Sequence, residues 1–206
     1  MADDDTIRFW VDPICPWCWV TARWAIQVAP QRGLTIEWKP ISLLFKNETP
    51  PDSAHHGAVA WTLGLLRVME SVRAAEGNAP LQALYLEYGA RIHHDKDRLW
   101  DPAEALRAVG IDDVHAKAAD DEAWDPIVRA GMDEGLALVG KDVGTPIIAM
   151  RHADSWVATF GPVITRVPDP ADSLRLWDAF VTVTTMDGFW EIKRTRTEAP
   201  DFGHRP

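Results

Sequence analysis

The feature that most constrains this chain is Cys15-Pro16-Trp17-Cys18, which holds its only two cysteines. An apolar run, Thr6 to Val11, precedes the pair and reads as a short buried strand. Trp19 to about Gln31 follows it and reads as a helix, with Val20, Trp24, Ala25 and Val28 at helical spacing. A C-x-x-C pair between strand and helix has a chemical consequence. With Cys15 as the cap and Pro16 at the first helical position, the proline gives up no hydrogen bond. The positive end of the helix dipole then lies near the Cys15 sulfur and favours thiolate over thiol. Cys18 falls one turn on, on the same face, within reach of a disulfide. Cys15 is therefore read as the attacking thiolate and Cys18 as the resolving thiol, with exchange through a mixed disulfide.

Three blander readings compete. A structural disulfide across so short a loop removes little unfolded-state entropy. A structural zinc site needs four ligands, and without a second C-x-x-C the histidines would have to complete it. Two inert core cysteines are the third. The order strand, C-P-x-C, helix favours redox chemistry over all three.

The 206 residues suffice for one large domain or a domain with an insertion, and 47% apolar content supplies a core. A net charge of −10 argues against nucleic acid or an anionic membrane as partner. Eleven tryptophans are many; some belong to the core, and others are available to wall a cleft. The first residues, Met1 to Asp5, are acidic, and no basic segment with an apolar stretch precedes the first strand. No apolar run approaches membrane-spanning length. A cytoplasmic location is expected, where the thiol pool would keep such a pair mainly as a dithiol reductant.

Along the chain, Gly33 is placed to end the first helix. Leu34 to Leu44 reads as a second strand, with Pro40 marking an edge or a bend. Asn47 to Ser53 is a loop by composition. From there to about Gly140 the pattern is helical: Ala54–Ala75, Pro80–His93, a helix capped by Asp101 with Pro102 at its start, a short one from Ile111, and Glu122–Val139. Thr145-Pro146 then leads into an apolar strand, Trp156–Phe160 into another, and Ala171 to about Thr184 into a last helix. The tail from Glu191 is polar and holds Lys193, Arg194 and Arg196; composition favours a solvated segment.

This succession resembles the DsbA-like branch of the thioredoxin superfamily. The strings F-W-V-D-P-I-C-P-W-C-W-V-T-A-R-W, D-V-G-T-P, F-G-P-V-I-T-R-V-P, L-W-D-A and E-I-K-R-T-R-T-E-A-P are similar to the mycothiol-dependent nitroreductase group within it. They cover both ends of the chain, whereas residues 50–130 resemble the group mainly in layout. The resemblance implies an α/β thioredoxin fold interrupted by an all-helical insertion, with residues 1–50 and 140–206 forming the thioredoxin-like domain and 51–139 the insertion. It implies no tightly bound cofactor, and mycothiol or another low-molecular-weight thiol as co-substrate. The other partner would be a disulfide or a small electrophile such as a nitroaromatic. Cys15 and Cys18 would be catalytic. Pro16 and Trp17 beside them, with Thr145 and Pro146, would meet substrate. Thr145-Pro146 would be the cis-proline loop that turns the Thr145 backbone toward Cys15. Exported, oxidising members have histidine where this chain has Trp17, which favours a reductase direction here.

Asp12, three residues before Cys15, is a candidate proton acceptor for Cys18, against the plainer role of turn former after a strand. His55-His56 and His93-His94 invite a metal, but neighbouring histidines on a helix diverge by about a hundred degrees. No metal site is expected, and His93 has no role the sequence assigns. Two other functions remain in view: a thiol-dependent isomerase of the chromene-carboxylate isomerase type, which usually has serine at the Cys15 position, and a non-enzymatic module binding through tryptophans. The sequence leaves the oligomeric state open, a homodimer included.

Overall fold

The computed structural model describes residues 5–98 and 100–206; the acidic start of the chain, up to Asp4, lies outside them. At the centre is β1 (Thr6–Val11), whose Ile7, Phe9 and Val11 face one side and Trp10 the other, in two separate apolar clusters. β1 pairs in parallel with β2 (Thr35–Pro40), setting Phe9 opposite Trp38 and Val11 opposite Pro40. On its other edge it pairs antiparallel with β3 (Ile147–His152), and β3 pairs antiparallel with β4 (Ser155–Phe160). The sheet order is therefore β2-β1-β3-β4.

Parallel neighbours require a crossover. α1 (Pro16–Arg32) supplies it and stops at Gly33, which takes the left-handed φ of 66° and donates its N–H to Ala29 O. Between β2 and β3 the described residues hold no strand. They form α2 (Leu43–Lys46), α3 (His56–Glu76), α4 (Leu81–Gly89), α5 (Pro102–Ala108) and α6 (Asp125–Val139). α4 runs on as a π-helical turn, Ala90–Asp95, and two 3₁₀ segments, Asp113–Asp120 and Glu122–Trp124, lead into α6. α7 (Pro170–Thr185) follows β4.

The alternation in β1 sorts the core. Trp10, Ile147 and Ala149 pack on Met132 and Leu136 of α6, and the Trp10 indole N–H donates to Gly131 O at 2.7 Å. Phe9, Val11 and Ile148 pack on the other face against α1, α4 and α7, where Trp24 meets Trp177 and Phe180. Trp10, Trp19, Trp24 and Trp38 are fully buried, each contributing on the order of 3 kcal/mol of apolar transfer.

Two elements depart from the sequence expectation. β2 ends at Pro40 rather than near Leu44, because Ser42 accepts the Phe45 N–H and caps α2 instead. The helix expected over Pro80–His93 changes pitch at Gly89. A Cβ there would sit 2.3 Å from the Trp19 ring, so only glycine lets this helix lie against α1. We expect Gly89→Ala to lower stability by about 2 kcal/mol in urea unfolding, since the buried Trp19 has no space to yield.

Candidate active site

Cys15 is the N-cap of α1, with φ −74° and ψ 111°, and its sulfur accepts the Cys18 N–H at 3.4 Å. The preceding turn is closed by Asp12, whose carbonyl accepts the Cys15 N–H at 3.0 Å and whose Oδ1 accepts the Ile14 N–H at 3.1 Å. Cys15 is 8% exposed and Cys18 is wholly buried; both are free thiols. Thr145 reaches both. Its carbonyl lies 3.7 Å from Cys15 Sγ and its hydroxyl 3.2 Å from Cys18 Sγ. The Thr145-Pro146 bond is cis, as the resemblance implied, and so is Gly161-Pro162, which nothing in the sequence marked.

The Cys18 sulfur has further company. Tyr85 OH, on α4, lies 3.7 Å from it, and Trp10 O, on β1, also 3.7 Å. The Thr145 hydroxyl sits 2.7 Å from the same Trp10 carbonyl. One hydroxyl proton cannot serve both acceptors. While Cys18 is a thiol, Thr145 donates to Trp10 O; once the sulfur is charged, that proton can turn to it. Tyr85 is the site residue the sequence did not reveal: it read as one more apolar position on a helix.

Burial pushes the Cys15 thiol up to about 11, with the Asp12 carboxylate adding to the rise; the Cys18 N–H, the Trp17 N–H and Arg196 act against it. Cys18 is pushed up further, first by burial and then by Cys15. Loss of water at the buried sulfur thus opposes the thiolate-favouring effect expected of the helix end. Burial likewise raises the Asp12 carboxyl from 3.8 to about 6, opposed by hydrogen bonds from Leu43 N, Ile14 N and Thr62. Asp12 is both the turn former and a buried carboxyl titrating near neutrality. No hydrogen bond joins its carboxylate to either sulfur among the described residues.

Cys15 opens on a cleft of about 500 Å³, walled by Ile14, Pro16, Leu43, Val59, His55 and Arg98, with Asn47 and Thr49 also on its wall. Of the residues assigned to substrate binding, Pro16 lines it; Trp17, Thr145 and Pro146 do not. No tryptophan lines it either, so its walls are aliphatic and polar rather than aromatic. Trp17 lies half-buried with the Arg196 guanidinium 5.0 Å from its ring.

The tail is exposed at Lys193, Arg194 and Arg196, as composition favoured, but its far end is anchored. Arg205 pairs with Asp95 at 2.9 Å, Asp201 N donates to Thr165 O, and Arg23 donates to the carbonyls of Phe202 and His204. Phe202 packs on His93 and His94. The tail's start, Ile192, and Trp190 just before it are exposed. His93 is buried and donates from Nε2 to Pro13 O at 2.9 Å, bracing the turn before Cys15; burial lowers it to about 4, so it stays neutral. His94 accepts from the Trp19 indole, and His56 Nδ1 meets Thr49 O. The four histidines therefore do not converge, and no metal-holding cluster occurs among the described residues.

Strand order, helical segment and a C-x-x-C pair opening α1 define the DsbA-like form of the thioredoxin fold. Solved structures of that form cover nearly the whole chain. They include a putative protein disulfide isomerase from Nitrosomonas europaea (14% identity, 85% of this chain and 98% of that one, TM-score 0.59). A probable DsbA oxidoreductase from Streptomyces coelicolor (18%, 94% and 95%, 0.57) and the cytosolic disulfide reductase DsbM from Pseudomonas aeruginosa (17%, 86% and 98%, 0.53) are also similar. At such identities the likeness concerns the fold. The sequence itself matches the Rv2466c-like family, described as mycothiol-dependent nitroreductase Rv2466c, over residues 14–194, and the chain belongs to that family of redox enzymes. A relative in Mycobacterium tuberculosis, the uncharacterized protein Rv2286c, is 28% identical over 200 residues, 94% of this chain and 84% of that protein.

The Asp12 shift has a measurable sign. Between pH 3.8 and about 6 the folded protein keeps a proton that the unfolded chain has released. Stability attributable to this group therefore falls as pH rises through that window, by roughly 3 kcal/mol, and stays lower above it. Asp12→Asn should flatten the slope. Denaturant midpoints across the window, wild type minus variant, isolate Asp12 from Glu70, whose carboxyl burial also raises. An unchanged slope would mean that another group is responsible.

Proposed function

We propose that this protein is a cytoplasmic thiol-disulfide oxidoreductase working in the reductase direction, with mycothiol as the low-molecular-weight thiol that regenerates its dithiol. Its substrates are disulfides or small electrophiles such as nitroaromatics. The observation that carries this reading is the placement of Cys15 alone on the cleft, with Cys18 one turn inside and hydrogen-bonding hydroxyls on the inner sulfur. Membership of a thiol-dependent family supports the choice of co-substrate.

For a disulfide R–S–S–R the steps balance. Cys15, as thiolate, attacks one sulfur, forms the mixed disulfide Cys15–S–S–R and expels RS⁻, which takes up the proton that Cys15 gave up. Cys18 then loses its proton, attacks Cys15 Sγ, forms the Cys15–Cys18 disulfide and releases the second RS⁻. Two electrons pass from the dithiol to the substrate, and two equivalents of the low-molecular-weight thiol restore the dithiol by the same exchange. Asp12, titrating at about 6, is the proton acceptor for the second step in this scheme. Thr145 and Tyr85 donate to the Cys18 thiolate as charge appears, which offsets the cost of an anion with no water beside it. Substrate enters over Pro16, with Trp17, Thr145 and Pro146 bordering the reacting sulfur.

Cys15→Ser should lower turnover by on the order of 10³-fold or more, whereas Cys18→Ser should accumulate a stable Cys15 adduct. Mass spectrometry after incubation with mycothiol or glutathione reads the adduct and the preferred thiol together. Wild-type rates from Cys15→Ser would overturn the nucleophile assignment. Tyr85→Phe keeps the packing and removes one donor. It should slow release of the second thiolate by about tenfold while leaving first attack unchanged, seen as a transient mixed disulfide in quenched-flow mass analysis. Equal slowing of both steps would count against a role at Cys18.

A further inference from the structure

The cleft beside Cys15 differs in charge from the rest of the molecule. The chain carries 31 acidic and 21 basic residues, yet no aspartate or glutamate lines this cleft among the described residues. Arg98 does line it, with His55 across the same space. Elsewhere the arginines are mostly consumed by carboxylates: Arg8 by Glu37 and Glu134, Arg67 by Asp125, Arg73 by Glu70, Arg91 by Glu87 and Glu104. Arg98 has no such partner among the described residues. Arg196, whose charge also acts on Cys15, has Trp17 beneath it rather than a carboxylate. In a chain with ten surplus negative charges, two cations kept unpaired around one reactive sulfur call for an anion from outside.

The wall chemistry narrows the class. Ile14, Leu43, Val59 and Pro16 offer apolar surface for an uncharged body, while Arg98 is the single charged side chain on the wall. One guanidinium matches one carboxylate in charge and in its two-pronged donor geometry. A phosphate dianion would leave a charge unmatched. The pattern thus fits a molecule with an apolar body and a carboxylate at its edge.

We propose that the cleft selects a carboxylate-bearing disulfide or electrophile, with Arg98 receiving the carboxylate while the apolar body lies along Ile14, Leu43 and Val59 and its reactive atom meets Cys15. The inference rests on the reading of Cys15 as nucleophile. The redox step is unchanged: Cys15 joins one sulfur of the substrate, the other sulfur leaves as thiolate, and Cys18 completes the transfer of two electrons.

The test uses the reduced full chain and three small disulfides: dithiobis(nitrobenzoate), which carries carboxylates; dithiodipyridine, which is neutral; and cystamine, which is cationic. Second-order rates are each divided by the rate of a simple thiol in the same buffer, which removes the reagents' own reactivities. We expect the order anionic, neutral, cationic in the wild type, with the anionic preference eroding as salt rises. Arg98→Gln should reduce the anionic preference about fivefold and leave the neutral rate within about twofold, while Arg98→Lys should keep most of the preference. The exposed position of Arg98 makes unfolding of these variants unexpected, and the neutral reagent reports it directly. A wild type without anionic preference, or one whose preference survives Arg98→Gln, overturns the carboxylate assignment while leaving the nucleophile standing. Unchanged rates in Cys15→Ser overturn the nucleophile itself.

Discussion

The sulfur of Cys18 is the point on which four distant stretches of chain converge. β1 brings the Trp10 carbonyl, α1 the cysteine, α4 the Tyr85 hydroxyl, and the loop before β3 the Thr145 hydroxyl. A buried thiol asks little of its surroundings, but a buried thiolate asks for hydrogen-bond donors. Two hydroxyls free to rotate satisfy both states without moving the backbone. The sheet register fixes Trp10 relative to Ile147, and thereby sets where Thr145 can reach. The reactive geometry is in this sense a product of strand pairing.

The electrostatics follow from the same enclosure. Burial favours the neutral thiol at both Cys15 and Cys18 and raises the Asp12 carboxyl to about 6; the Asp12 charge adds to the cost of ionising Cys15, and the Cys15 charge to that of ionising Cys18. The groups are therefore coupled, and a proton leaving one is felt by the others. A substrate entering the cleft changes that balance by bringing its own polar atoms to the one sulfur with any exposure. Resting inertness and reactivity on binding are compatible in such a site.

What the sequence disclosed, and what it withheld, divides along contact distance. Strand, C-P-W-C and helix were legible because cap, proline and apolar period are local signals. The need for glycine at position 89 was not, since it comes from the Trp19 ring seventy positions away in the chain. Tyr85 looked like core because its hydroxyl partner is a sulfur on another element. The anchoring of the tail's far end was not legible, because its anchors, Arg23, Asp95 and the His93–His94 pair, carry no periodicity that composition could register. Asp12 was legible as a turn former and as a carboxylate near sulfur; its full burial was not, since part of its surroundings, such as the Leu43 N–H, comes from a segment some thirty positions on.

Reactivity and selectivity are drawn from different parts of the chain. The sulfurs belong to the crossover helix and its cap, Trp10 to the central strand and Thr145 to the loop that enters β3. Cleft walls at Leu43, His55, Val59 and Arg98, and the brace His93, come from the segment between β2 and β3. The fold is shared at 14–18% identity, and a shared fold leaves the substrate open. Charge sharpens the separation: the molecule is acidic overall, so an anion reaches Cys15 only where the local wall reverses the sign. On the proposed reading, Arg98 on the cleft wall, rather than the dithiol, is where substrates are told apart.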